Sequence, residues 1–248
     1  MTTGNTTNIK SLLRDECLPG LTAQQKYFTL ASIRQWLRNR KLVCPPETLR
    51  GYLHEFTRQG AIFSAGRGWY STLSKQFVLD REPVSSLVQQ LNQTFPLLEY
   101  SCWSTEQIRT YGHHLLARFV TFVHTDRDAM SSVFEFLRNQ GYDAHLNPRG
   151  QAARGFTVRE RTIVVRPRVT TQPAEKHFTT IEGILVDLFV ESKALAVLDQ
   201  GEYFRTLHNL VEQSRISMGS LVTYATQRKP ATNPLLNQLT DDFAKTLS

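Results

Sequence analysis

PETLRGYLHEFTRQGAIFSAGRGWYSTL, residues 46–73, decides how the first third of the chain is read. Pro46 suits a first helical turn, where no backbone donor is needed, and Glu47 complements the helix dipole. Leu49, Tyr52 or Leu53, and Phe56 recur at helical spacing, and Gly60 offers a left-handed C-terminal cap. Two short strand-like runs then flank Gly66-Arg67-Gly68. Glycines supply the positive φ that a tight hairpin turn requires, so this stretch predicts a hairpin.

Upstream, Leu30, Ile33, Trp36 and Leu37 predict a helix over 29–40 with Thr29 as its cap. A break follows at 42–45. Ile9, Leu12 and Leu13 predict a shorter helix over 8–17, ended by Pro19-Gly20, after a frayed polar N-terminus. Helix, helix, short break, helix and glycine-tipped hairpin together make a winged helix-turn-helix. With Leu49, Leu53 and Phe56 facing a core, Thr48, Arg50, Gly51, His54 and Arg58 fall on the other sides. An α-helix fits the major groove of DNA, and arginine there contacts guanine edges or phosphates. Arg67 is placed like a wing residue reaching phosphate or a minor groove. Lys26, Arg34, Arg38, Arg40 and Lys41 complete a set able to hold the phosphate backbone. Glu47 and Glu55 on the same helix count mildly against a very tight DNA face.

Charge supports two modules. The 248-residue chain carries +7, and residues 1–80 hold eleven Lys and Arg against five Asp and Glu. The remainder is nearly balanced, so the domains read as 1–80, facing an anion, and 81–248. A composition of 40% hydrophobic and 21% charged residues is that of a globular protein. Cys17, Cys44 and Cys102 are odd in number and far apart. That spacing excludes a disulfide scaffold and a CxxC zinc pair, and it fits a reducing cytoplasm. The opening MTTGNTTNIK has no apolar core, and the apolar run 184–190 is broken by Asp187, so neither a signal peptide nor a membrane span is predicted.

Beyond a boundary near 81–84, a helix is predicted over 84–94 and a strand over 99–103. Ser104 and Gln107 form a capping-box pattern for a helix over 105–115. A strand over 118–124 follows, then a helix capped by Thr125 and ending at Gly141, then strands over 142–146 and 162–165. Residues 148–160 read as a loop. Helical stripes begin at Ile181, Tyr203 and Met218, with a last short helix over 234–247. The predicted fold is therefore α+β: an N-terminal winged helix-turn-helix, then a small mixed sheet with helices and a helical C-terminal tail.

Catalytic signatures are missing. Nucleotidyl transfer needs a Gly-Ser turn followed closely by Asp-x-Asp to bind Mg²⁺. Gly219-Ser220 has no such acids after it, and Asp126-Arg-Asp128 has no Gly-Ser before it. His113 and His114 are neighbours about 100° apart on a helix and poorly placed to share a metal. Cys44 and Cys102 have no activating partner in the sequence and read as buried structural thiols. No cofactor, metal or catalytic group is expected. Arg149, Arg154, Arg159, Arg161, Arg166 and Arg168 form a second basic cluster, interrupted only by Glu160. It reads either as a second nucleic-acid surface or as a solvated loop and edge strand whose charges discourage aggregation.

Over most of residues 25–230 the chain resembles the AbiE-type (type IV) antitoxins of the AbiEi family. The residues that carry this are Trp103-Ser-Thr, Arg118-Phe-Val-Thr-Phe-Val, Ala129–Tyr142, Leu146-Asn-Pro148, Ile163-Val-Val-Arg-Pro167, Thr180–Phe189 and Tyr224-Ala-Thr-Gln-Arg-Lys229. The resemblance implies a winged-helix DNA-binding domain joined to an antitoxin domain. It further implies autorepression through promoter repeats and a nucleotidyltransferase-like toxin opposed without a stable complex. The winged-helix positions matching it are Thr48, Arg50, His54, Arg58 and Arg67. Two other readings stay open: a protein-interaction module with a structural winged helix, and an enzyme acting on nucleic acid.

Overall fold

The computed structural model describes residues 8–23, 25–112 and 118–243. It is an α+β protein whose chain forms two compact units. The first contains the described residues up to Gln76, together with Val211–Val222 and the described residues from Pro234 onward. The second contains Phe77–Leu210 and Thr223–Asn233.

The first unit opens with α1 (Ile9–Leu12), a π turn (Leu13–Cys17) and α2 (Leu18–Thr22) in one unbroken helical run. The expected stop at Pro19-Gly20 does not occur. The Leu18 N–H reaches back five residues to the Leu13 carbonyl, so the helix is widened just before the proline ring that would otherwise crowd the preceding turn. β1 (Tyr27–Thr29) leads into α3 (Leu30–Asn39), where the Thr29 hydroxyl accepts the Ser32 N–H at 3.0 Å. α4 (Pro46–Arg58) ends as its sequence predicts. Gly60 sits at φ +72°, its N–H bonds the Thr57 carbonyl at 3.1 Å, and Ala61 N–H bonds the Phe56 carbonyl at 3.0 Å. β2 (Phe63–Ser64) and β3 (Trp69–Ser71) form the hairpin. β1 joins β3 on its other side, giving an antiparallel sheet of order β1-β3-β2. Phe28, Ile33, Trp36, Leu37, Leu49, Leu53 and Phe56 share one core with Leu13, Cys17, Leu18 and Leu21.

The second unit runs α5 (Glu82–Thr94), β4 (Tyr100–Ser104), β5 (Val120–Thr125), α6 (Met130–Asn139), β6 (Asp143–Leu146) and α7 (Gln151–Arg154). β7 (Thr162–Pro167), β8 (Ala174–Glu175), β9 (Phe178–Thr179) and α8 (Ile181–Leu195) follow. The chain then continues through α9 (Gln200–Gln213), α10 (Met218–Gln227) and α11 (Asn233–Phe243). The Ser104/Gln107 capping box is present, but it opens a 3-10 turn over Thr105–Tyr111. Thr125 does not cap the next helix. It is the last residue of β5 and its hydroxyl donates to the Glu99 carbonyl, while Asp126 holds the cap position of a 3-10 turn. Residues 113–115 of one predicted helix, with His113 and His114, lie outside the described residues, as do residues 1–7 and 244–247.

The large sheet has the order β6-β7-β5-β4-β9-β8. β6, β7 and β5 are mutually parallel, whereas β4 is antiparallel to β5. Three adjacent strands therefore end on one edge. β7 is flanked on both sides and buries Ile163, Val164 and Val165, which explains its unbroken β-branched run. α8 is buried nearly all round, yet carries Glu182, Asp187 and Glu191 inside. Buried carboxylates need partners, and these lead to the network described below. No described helix is long and apolar enough to cross a membrane.

The cysteines separate by burial. Desolvation pushes the Cys17 thiol up to about 12 and raises Cys102 as well. Cys44 is half-buried rather than enclosed, and burial raises its pKa also. Because the thiolate is the reactive species, alkylation of the native protein is expected to label Cys44 alone, more slowly than free cysteine. Denaturant should release all three thiols. Labelling of Cys102 before unfolding, read by peptide mass, would contradict this burial pattern.

Candidate nucleic-acid interface

α4 buries Leu49, Leu53 and Phe56 and leaves Thr48, Arg50, Gly51, His54 and Arg58 exposed. Arg50, His54 and Arg58 recur every four residues, so they form one ridge along the outer face. At about 1.5 Å per residue this ridge is ~12 Å long, comparable with a major groove roughly 12 Å wide. Both acids of the helix are locally paired. Arg50 meets Glu47 at 2.5 Å one turn away, in an exposed pair that costs little to exchange. Lys10 of α1 donates to Glu55 at 2.6 Å, and this hydrogen bond holds the Glu55 carboxyl below its usual range.

α3 meets the start of α4. Arg34 and Arg38 line an open groove of about 430 Å³ with Cys44, Pro46 and Leu49 at the start of α4. Arg38 is steadied by Gln35. Lys41 is exposed in a left-handed conformation (φ +56°) just after α3. Arg40 stacks on Trp36 at 3.9 Å and pairs with Glu16 at 3.2 Å, so it is occupied locally.

The hairpin turn departs from a free wing. Arg67 is exposed between two positive-φ glycines, Gly66 (+94°) and Gly68 (+75°). Yet the turn is held against residues 217–219 of the same unit, with Gly219 N–H donating to the Ala65 carbonyl at 3.1 Å. A Cβ at Gly219 would come within 2.6 Å of the Arg67 nitrogen and 3.0 Å of the Gly66 carbonyl carbon. These are backbone atoms with nowhere to go. Gly219→Ala is therefore expected to destabilise the unit by about 1–3 kcal/mol, the usual cost of overpacking, with the loss read from a urea titration. An unchanged midpoint would show that the turn is not seated there.

The second arginine cluster does not form one surface. Arg159 and Arg161 precede β7, whereas Arg166 and Arg168 lie at its far end. Six strand residues at ~3.3 Å each separate them by roughly 20 Å. Arg161 stacks on Tyr142 at 4.2 Å. Arg166 is corrected outright: it is buried, not a surface cation. Its Nε and Nη2 bond both oxygens of Glu191 at 3.0 and 2.5 Å, and Nη1 bonds the Asn147 side chain and the Pro148 carbonyl. A buried guanidinium is tolerated only with this degree of compensation. Arg168 is half-buried and shared between Glu99 at 2.6 Å and Asp126 at 3.4 Å. Arg149 and Arg154 remain exposed.

A buried polar network lies beside Arg166 and was not foreseen. Asp187 accepts from Tyr224 Oη at 2.8 Å and from Gln172 Nε2 at 2.6 Å, and Arg228 lies 3.4 Å away. Gln172 also bonds Ser101 and His124. Burial, and then the Asp187 charge, push the Tyr224 hydroxyl above its ordinary range. The one signal in the sequence was Asp187 breaking an apolar run. No cluster of three or more His, Cys, Asp and Glu suited to a metal exists among the described residues. Residues 48–244 match the model of a protein family described as a family of unknown function (DUF6577). No curated protein matches the chain.

Proposed function

The chain belongs to DUF6577, a family of unknown function, and we propose that this member is a duplex-DNA-binding repressor whose first unit is a winged helix-turn-helix. The observation that carries the reading is the Arg50–His54–Arg58 ridge, exposed along an α4 whose opposite face is anchored in the core. In this reading α4 enters the major groove. Arg34, Arg38 and Lys41 hold phosphate beside it, and Arg67 touches the backbone from the hairpin turn. The pairing of Glu55 with Lys10 and of Glu47 with Arg50 lessens the acidic penalty on that face. Because the turn is seated on residues 217–219, Arg67 serves as a fixed phosphate contact and not as a deep minor-groove probe.

The wider role we propose is that of a cytoplasmic, non-enzymatic antitoxin. It represses its own operon and opposes a nucleotidyltransferase-like toxin without a stable complex. This part rests on the resemblance of residues 25–230 to the AbiEi antitoxins. The test is a binding titration on the DNA just upstream of the gene against random duplex of equal length, at two salt concentrations. Binding should favour the upstream DNA and weaken steeply with salt as counterions are recaptured. Equal, weak binding to both duplexes would overturn the repressor reading and leave the unit as a protein-docking module.

A further inference from the structure

We propose that the second unit binds a small polyanion, carrying two or more phosphate-type groups, in a cavity at the carboxyl ends of β5, β7 and β6. This does not depend on the DNA reading. The cavity measures about 620 Å³ and is lined by the segments that follow all three strands, together with α8 and residues 227–229. Small-molecule sites typically measure ~300–1,000 Å³, and in open α/β sheets they lie beyond the carboxyl ends of the strands.

The charge of the cavity is only partly balanced. Arg166 is spent on Glu191, Arg228 lies against Asp187, and Arg168 is shared between Glu99 and Asp126. Arg127, Arg149 and Lys229 come from three separate segments and have no ion-pair partner among the described residues. Like charges gathered in a concave wall repel one another, and a bound anion relieves that repulsion. Guanidinium groups also match phosphate oxygens in a two-pronged geometry.

A second observation is independent of charge. His124 lines the cavity and is 2% exposed. Its Nδ1 faces the Gln172 amide nitrogen, whose amide oxygen is turned to the Ser101 hydroxyl. An amide nitrogen only donates, so Nδ1 accepts and the ring proton sits on Nε2. Nε2 is buried with no hydrogen-bond partner among the described residues. A buried donor left without an acceptor is costly until one arrives. Among the described residues the lining contains no Phe, Tyr or Trp, and its cations are the groups that recognise the ligand.

The test is calorimetric titration of the full chain with inorganic tripolyphosphate at fixed ionic strength. Binding of one equivalent per chain is expected, unchanged in Arg50→Ala/Arg58→Ala and weakened at least ~tenfold in Arg127→Ala/Arg149→Ala, as loss of charge-assisted hydrogen bonds implies. Both variants alter exposed side chains, and circular dichroism should confirm that they fold. His124→Phe, which fills the same space without a donor, should weaken binding as well. Absence of saturable binding, or loss in the α4 variant instead of the cavity variant, would overturn the proposal. So would a cavity variant that weakens binding of a 20-base-pair random duplex and leaves tripolyphosphate unaffected. That result would make the rim a nucleic-acid surface.

Discussion

Arg50→Ala/Arg58→Ala is expected to bind the upstream DNA about two to four orders of magnitude more weakly than wild type. Each arginine aimed at a guanine edge is worth ~1–3 kcal/mol of discrimination, and ~1.4 kcal/mol is a factor of ten. The two side chains are exposed and two turns apart on the α4 ridge. Their removal deletes contacts without disturbing Leu49, Leu53 or Phe56 beneath. The single variants separate the roles. Loss of an arginine that reads a base should narrow the gap between upstream and random duplex. Loss of one that holds phosphate should weaken both equally and lower the salt slope by about one. A double variant with wild-type affinity and a wild-type urea midpoint would remove α4 from the interface.

Glu191→Ala should be the most destabilising of the substitutions considered in the second unit. The change strands the Arg166 guanidinium, buried with only Asn147 and the Pro148 carbonyl left to it. Breaking a buried ion pair from one side costs ~3–5 kcal/mol. Denaturant melting followed by circular dichroism is the measurement. Arg166→Met/Glu191→Leu removes both charges and should recover most of the loss, because the cost comes from the unpaired charge and not from the missing attraction. If the double variant were as unstable as Glu191→Ala, packing would be the cause and the ion pair incidental.

Much of the first unit is legible in the sequence because its signals are local. Thr29, Pro46 and Gly60 mark helix ends by capping chemistry, and the Leu49–Leu53–Phe56 stripe assigns the buried face of α4. What the sequence hides is either too short or too local an irregularity to carry a pattern, or depends on residues far apart in the chain. β1, β8 and β9 are two or three residues long and too short for alternation to show. The run through Pro19 needs a π turn that no propensity announces. Arg166 looked like its basic neighbours because Glu191, which buries it, lies 25 residues later. The seating of the hairpin turn depends on Gly219, whose lack of a side chain acquires meaning only against Gly66 and Arg67. Asp187 was visible as a charge inside an apolar helix. Its partners Tyr224, Gln172 and Arg228 are brought to it by the fold.

Dimethyl sulfate footprinting of the upstream duplex tests the central claim most directly, since the reagent methylates guanine N7 in the major groove. With α4 in that groove, wild-type protein should protect guanines in the upstream DNA, and Arg50→Ala/Arg58→Ala should leave them reactive at equal occupancy. Occupied DNA with every guanine N7 still reactive, or an identical footprint from the variant, would contradict the assignment of α4 as the reading helix.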